Sequence, residues 1–293
     1  MTAQSTRHLL MIEPAKPGFN PETEATNDYQ IDEREDPAIV SARYIQEFRD
    51  YRDALVTAGI FVTTLQGPPE CLDAGFPNWF SVHDGGLIVY PMLTPNRNAE
   101  RMPNLIATLE KRYGKAKWFE GNGKALEGVS SLVLDRVNKI AYACRSARTD
   151  DALARKWADD MGYELQMFDA LDHHGKPVYH TDLTIWIGST LAGVCSECIV
   201  EKDRARIVDS LRRHREIVEF DNQQLRSFCG NALEALGKEN RPVFIVSQRA
   251  LDSMRPDQIA LLRKHFSLIV TARIPTVESY GGGSARCMLQ ELF

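Results

Sequence analysis

Short apolar runs suited to strands recur along the whole chain, singly or in pairs between amphipathic helical stretches, never as one uniform strand–helix series. The runs are His8–Ile12, Gly59–Leu65, Leu87–Tyr90, Ser131–Leu134, Ile140–Cys144, Val178–Ile187, Ala192–Val200, Val243–Val246, Phe266–Val270 and Met288–Leu292. The helical stretches are clearest at Ala38–Ala58, Asp150–Gly162, Lys202–Glu219, Gln223–Leu236 and Asp252–His265. This pattern predicts a mixed α/β fold in which a unit of two or three strands plus one helix repeats about five times at loose spacing. No G-x-G-x-x-G or Walker pattern follows a strand, so a nucleotide fold loses support. No Gly/Ser/Pro-rich linker of domain-separating length interrupts the chain, and residues 1–293 are expected to form one domain. Two irregular stretches, Glu13–Asp36 and Gly67–Gly86, read as loops of the kind that cover a site.

Lys plus Arg total 35 against 40 Asp plus Glu, a formal charge of −5, which leaves no basic surplus for a phosphate backbone. Nucleic acid is not an expected partner. No run of about 18 uncharged apolar residues occurs, so no membrane span is expected. The first residues, Met1 to His8, are polar where a secretory signal has an apolar core, and a cytoplasmic location is expected. Six cysteines without such a signal read as free thiols. Cys195-Ser196-Glu197-Cys198 has zinc-knuckle spacing, but no second C-x-x-C or H-x-x-x-H pair accompanies it, so neither a metal nor another cofactor is expected.

Chemistry-bearing residues stand in five places. Near the end of the chain, Gly281-Gly282-Gly283-Ser284-Ala285-Arg286-Cys287 brings three glycines up to a cysteine. Consecutive glycines permit a close approach that side chains forbid, so a ligand can sit against this turn with the thiol as nucleophile; a buried packing cysteine after a hairpin turn also fits the residue alone. Tyr179-His180-Thr181-Asp182 heads an apolar run, where strand alternation puts His180 and Asp182 on one face, as a proton-transfer and cation-binding pair or as a structural hydrogen-bonded pair. Leu126-Glu127-Gly128 places a carboxylate and a glycine ahead of a strand, a pattern that also suits an exposed turn. Ser146-Ala147-Arg148-Thr149-Asp150 offers an N-cap and an arginine able to reach a carboxylate, or a solvated arginine. Finally, Pro77-Asn78-Trp79 through His83-Asp84 and then Asn96-Arg97-Asn98-Ala99-Glu100-Arg101 put aromatic, acidic and basic groups on successive loops.

Together, and in this order, these pieces resemble the pentein superfamily of guanidine-modifying enzymes: arginine deiminases, dimethylarginine dimethylaminohydrolases, arginine dihydrolases, citrulline hydrolases and amidinotransferases. Gly283 through Met288 is similar to the family's nucleophile loop, His180-Thr181-Asp182 to its H-x-D segment, Glu127-Gly128 to its glutamate turn, Ser146 through Thr149 to its S-x-R-T segment, and Pro77 through Asp84 to its early substrate loop. The segment Pro17–Gln30 with Asn78 is similar to the arginine-deiminase-related and citrulline-hydrolase branch.

The resemblance implies a five-bladed α/β propeller of ββαβ-type units around a central pocket. It implies Cys287 as nucleophile, His180 as proton shuttle and Glu127 as its orienting carboxylate. Asp84 and Asp182 would grip the guanidinium, Arg97 (with Arg101 in reserve) and Arg148 would hold the amino-acid carboxylate, and Asn27 or Asn78 would position the substrate. The expected activity is metal-free hydrolysis of a guanidino C–N bond of arginine or a close analogue through a covalent amidino-thioether. Citrulline hydrolysis to ornithine, amidinotransfer, and a catalytically silent pentein that only binds are the alternatives, and a homo-oligomer is compatible with all of them.

Overall fold

The protein, described by a computed structural model over residues 3–83 and 86–293, repeats one three-stranded motif five times. The strands are β1 (His8–Glu13), β2 (Phe61–Gln66), β3 (Phe80–His83), β4 (Gly86–Val89), β5 (Lys117–Trp118), β6 (Val133–Asp135), β7 (Ile140–Cys144), β8 (Glu164–Phe168), β9 (Ile185–Ile187), β10 (Leu191–Val194), β11 (Glu216–Glu219), β12 (Leu233–Leu236), β13 (Pro242–Ser247), β14 (Leu268–Ala272) and β15 (Gln290–Leu292). The sheets are β3-β4-β5, β6-β7-β8, β9-β10-β11 and β12-β13-β14, each with its first pair antiparallel and its second parallel. The fifth sheet, β15-β1-β2, has the same pairing, with the end of the chain supplying the antiparallel strand. A parallel pair needs a crossover, and helices supply it between the second and third strand of each unit, as Pro37–Thr57 does between β1 and β2 and Asp151–Met161 between β7 and β8.

The antiparallel partner strands stand nearest the centre. β15 touches β3, β6 touches β9, and β9 touches β12. The ring closes through Ser5, whose hydroxyl donates to Glu234 of β12 at 2.6 Å, and through the Leu236 amide on the Thr6 carbonyl at 2.9 Å. Helices cover the outside. Asp36 caps Pro37–Thr57 by accepting from the Ala38 amide at 2.8 Å, and the helix buries Tyr44, Phe48, Tyr51 and Leu55 against Leu9, Met11, Ile245 and Val270 of two sheets. Each such side chain removed from water contributes about 1.5–3 kcal/mol.

The loosely fivefold unit expected from the sequence is what the chain builds, but several boundaries differ. The expected strand Val178–Ile187 is a strand only over Ile185–Ile187, and Thr181–Leu183 forms a 3-10 turn. The cause is Thr181, whose hydroxyl donates to the Ser131 carbonyl at 2.7 Å and accepts the Cys144 amide at 2.8 Å, drawing the chain out of the ladder. His180 and Asp182 therefore do not share a strand face. Ser131–Leu134 likewise begins as the helical turn Gly128–Ser131. The expected helix Gln223–Leu236 stops at Arg226 and its last residues are β12, because Phe228 adopts φ 65° and Gly230 passes so close to the Leu183 carbonyl that a Cβ there would lie 1.7 Å from the oxygen. Lys202–Glu219 divides into the helix Glu201–Arg212 and the strand β11.

Candidate active site

The repeat has a consequence for chemistry: the loop leading into each central strand delivers a polar side chain to the same end of the ring. Asn78 precedes β3, Glu127 precedes β6, His180 precedes β9, Asn231 precedes β12 and Cys287 precedes β15. Four of the five line one small cavity or bond within it, and the fifth, Asn231, holds the sulfur from behind.

The glycines ahead of Cys287 are dictated by contact. Gly282 has φ 64°, and a Cβ there would sit 2.4 Å from Asn27 Nδ2; one at Gly281 would sit 2.6 Å from the Phe76 ring. Tyr179 Oη donates to the Gly282 carbonyl at 2.5 Å, which fixes the turn. Cys287 is buried, with Asn231 Nδ2 donating to its sulfur at 3.1 Å and Asp182 Oδ2 3.6 Å from it. Asn231 Oδ1 also accepts the Arg286 and Cys287 amides at 3.0 and 3.2 Å, so one amide side chain sets both the loop and the sulfur. Burial, and then the Asp182 carboxylate, push the thiol up, against the pull of the Ser284 backbone, Asn231 and Arg286.

Gly128 explains the carboxylate–glycine pair: it has φ 51°, and a Cβ would meet the Asn78 carbonyl at 2.3 Å. The turn aims Glu127 inward, where Oε2 bonds His180 Nε2 at 2.8 Å and lies 3.6 Å from Arg148 Nη1, while Oε1 accepts the Leu93 amide at 3.0 Å. Burial alone would raise this carboxyl, but Arg148, His180 and Arg97 outweigh it and hold it at about 2. Because the folded value lies below the unfolded 4.5, the ionised form stabilises the fold above pH 4.5, and that contribution drains away as the pH falls towards 2. In urea titrations, the stability advantage of the wild type over Glu127→Gln is expected to shrink by about 3 kcal/mol across that window; a constant difference would contradict it.

Arg97 and Arg148 both line the cavity and are both buried. Arg97 pairs with Glu100 at 2.6 Å and donates to Asn78 Oδ1 and the Phe76 carbonyl, each at 2.6 Å. Arg148 lies over the Tyr179 ring and donates to Thr26 Oγ1 at 2.9 Å and the Thr23 carbonyl at 3.2 Å. Arg101 turns elsewhere, to the Asn98 and Tyr90 carbonyls. The loop Glu13–Asp36 does cover the site, with Thr23 and Asn27 in the cavity wall. Asn27 Nδ2 donates to the Gly282 carbonyl at 3.3 Å and Gln30 Nε2 to that of Tyr280 at 3.0 Å, pinning the segment to the nucleophile loop.

Of the two carboxylates expected to grip a guanidinium, Asp84 lies outside the described residues. Asp182 touches the sulfur, yet it lines a second cavity, shared with Arg136 and Arg286, rather than the one containing Cys287 and His180. Among the described residues the carboxylate in the wall of the Cys287 cavity is Asp73, with neutral hydrogen-bond partners: Oδ2 accepts from Asn20 at 2.8 Å and Thr23 at 3.4 Å. Burial raises it and Arg97 lowers it. Asp73 stands four residues before Pro77, where the recognisable loop begins, in the turn-rich stretch whose only signal was irregularity. The cavity encloses about 280 Å³ of space. Among the described residues no group of three or more His, Cys, Asp or Glu side chains is arranged to hold a metal ion, and no helix is long and apolar enough to cross a membrane.

This geometry meets the comparisons with known proteins at one point. The family described as eukaryotic N,N-dimethylarginine dimethylhydrolase matches residues 13–293. The chain belongs to that family. Its members are pentein hydrolases that act on guanidino C–N bonds of arginine and its analogues. Among solved structures, the N-terminal domain of ArgZ, an arginine dihydrolase of the cyanobacterial ornithine–ammonia cycle bound to its substrate, superposes with a TM-score of 0.76 at 13% identity, covering 97% of each chain. AgrE with L-arginine gives 0.79 at 13% identity over 98% of this chain and 40% of AgrE. A dimethylarginine dimethylaminohydrolase bearing an S-methyl-L-thiocitrulline adduct gives 0.68 at 15% identity over the whole of both chains. At these identities the likeness establishes the pentein fold. No curated protein matches by sequence.

Proposed function

We propose that this pentein hydrolyses the guanidino group of arginine or a close analogue, with Cys287 as nucleophile. The observation that carries the reading is the meeting, in one cavity, of a sulfur, an imidazole held by a buried carboxylate, and Asp73, a carboxylate whose hydrogen-bond partners are neutral. A guanidinium is a delocalised planar cation that resists attack, so Asp73 binds and orients it while Arg97 and Arg148 face the amino-acid carboxylate. The bound cation favours the thiolate electrostatically. Cys287 attacks the guanidinium carbon, His180 gives a proton to the departing amine, and an amidino-thioether remains. Water then loses a proton to His180 and attacks the same carbon, and the thiolate leaves as the ureido product forms. Glu127 fixes the orientation of the imidazole throughout.

A second reading, hydrolysis of citrulline, is favoured by Asn27 and Asn78 in the cavity wall, since an amide, unlike a carboxylate, can donate to a neutral ureido oxygen. The test is product analysis with arginine, N,N-dimethylarginine and citrulline, each alone and with glycine as an acceptor amine. Citrulline with ammonia or dimethylamine from the guanidino substrates is expected. Ornithine from citrulline would establish the second reading, a glycine-dependent product would establish amidinotransfer, and no product from any substrate would leave a binding protein.

A further inference from the structure

The mechanism above uses the groups that face the substrate and leaves one buried acid at the reacting atom unassigned. Asp182 is 2% exposed, and its Oδ2 lies 3.6 Å from Cys287 Sγ. Cys287 lines the substrate cavity, and Asp182 lines a neighbouring one. The substrate cavity holds His180; the neighbouring one brings Asp182 together with Arg136, Arg286, Glu291 and Gln4 against an apolar wall that includes Trp186. The imidazole in the substrate cavity is already engaged through Nε2 with Glu127.

We propose that Asp182 is the general base for Cys287, taking the thiol proton across the 3.6 Å contact between its Oδ2 and the sulfur, so that His180 is kept for the leaving amine and the water. The inference rests on the reading of Cys287 as nucleophile. In the step, the S–H bond breaks, an O–H bond forms on Asp182 Oδ2, and the electron pair stays on sulfur to attack the guanidinium carbon. The geometry explains why the pair is placed so. A carboxylate and a thiolate this close cannot both be charged at low cost, and proton transfer between them keeps a single negative charge on the pair throughout. Asn231 Nδ2 donates to the sulfur and stabilises the charge once it has moved there. When the thiolate leaves in the second half-reaction, the proton returns from Asp182.

The groups facing Asp182 are His180, Arg286, Ser130, Tyr179 and Cys144, and those facing the sulfur include Tyr44, Tyr51 and Arg286. The two arginines of the neighbouring cavity converge on Glu291, at 3.5 Å from Arg136 and 3.4 Å from Arg286. Burial lifts both the Asp182 carboxyl and the Cys287 thiol, and His180 and Arg286 oppose the first of these in part.

The experiment is the rate of Cys287 alkylation by neutral iodoacetamide against pH, read by mass spectrometry on the full chain, for the wild type and Asp182→Asn. With a carboxylate base, the wild-type rate rises through one titration and then levels off across the neutral range. In Asp182→Asn it falls and climbs about tenfold per pH unit, because hydroxide must now generate the thiolate. The kcat for guanidino hydrolysis falls about 100-fold or more, with KM changed less than about threefold. A wild-type profile with no plateau overturns the proposal without reference to the variant. Faster alkylation in Asp182→Asn at every pH would mean that Asp182 merely repels the thiolate. An unchanged alkylation profile with a raised KM would mean that it grips the substrate. Iodoacetamide needs only the sulfur, so absence of turnover would defeat the hydrolase reading while the alkylation profile still decides the role of Asp182.

Discussion

Replacing Cys287 by serine is expected to abolish turnover, lowering kcat/KM by at least about 10⁴-fold, while arginine or the preferred analogue still binds within a few-fold of its wild-type affinity. The two halves of this result come from different residues. In the proposed mechanism binding rests on Asp73, Arg97 and Arg148, which line the cavity beside the sulfur. Chemistry requires a nucleophile that becomes an anion beside Asn231 and later leaves again. A serine alkoxide is far more basic than a thiolate, and neither neighbouring group can generate it. Calorimetric titration of Cys287→Ser with substrate checks the binding half, and product assay checks the chemical half. Loss of both together would point to a collapsed cavity and not to a missing nucleophile.

The second large effect is expected at His180. Its alanine variant loses both the acid for the leaving amine and the base for water, and kcat is expected to fall by about 10³–10⁴-fold, toward the upper end of what general acid–base catalysis supplies. The loss should depend on the leaving group. An analogue that departs as a thiolate needs no proton and should still form the thioether, whereas arginine and dimethylarginine should not. Equal loss for both leaving groups would remove His180 from the first step. Glu127→Gln should reproduce part of the effect, because the buried carboxylate holds and orients the imidazole at 2.8 Å.

Much of this site is legible in the sequence, for a reason the fold makes concrete. Residues whose backbone is constrained leave a local signature: Glu127 is followed by a glycine that must pass the Asn78 carbonyl, and Cys287 is preceded by glycines packed against Asn27 and Phe76. Arg97, Arg148 and Asn27 also stand where the motifs place them, in the cavity wall. Asp73 and Asn231 leave no such mark. Asp73 lies in an irregular loop where nothing local distinguishes an inward carboxylate from a solvated one. Asn231 was hidden by a helical pattern that breaks at Phe228 and Gly230 for a long-range reason, the approach of Leu183. Yet the fivefold repeat contains it: once Asn78, Glu127, His180 and Cys287 are seen to lead into four central strands, the loop before the remaining strand, β12, is the place to look. The contact of Asp182 with the sulfur was not legible, because Thr181 turns the chain out of the strand that the apolar run suggests.

Three of the outer parallel strands were hard to read, whereas β2 and β14 overlap the expected apolar runs. β5 is two exposed residues, β8 runs from exposed Glu164 to buried Phe168 without alternating, and β11 buries Val218 alone, so none shows the apolar alternation that marks a strand. Their existence follows from topology: each middle strand needs a parallel partner after its crossover helix.

The central claim, that the sulfur of Cys287 becomes covalently bonded to the guanidino carbon, is tested most directly by acid-quenching His180→Ala during reaction with an S-alkyl isothioureido analogue of arginine and weighing the intact protein. The account predicts a mass increase equal to the analogue minus its leaving thiol, mapped by peptide analysis to Cys287 and lost in the Cys287→Ser double variant. Product formation with no adduct, or an adduct mapped to any other residue, would contradict it.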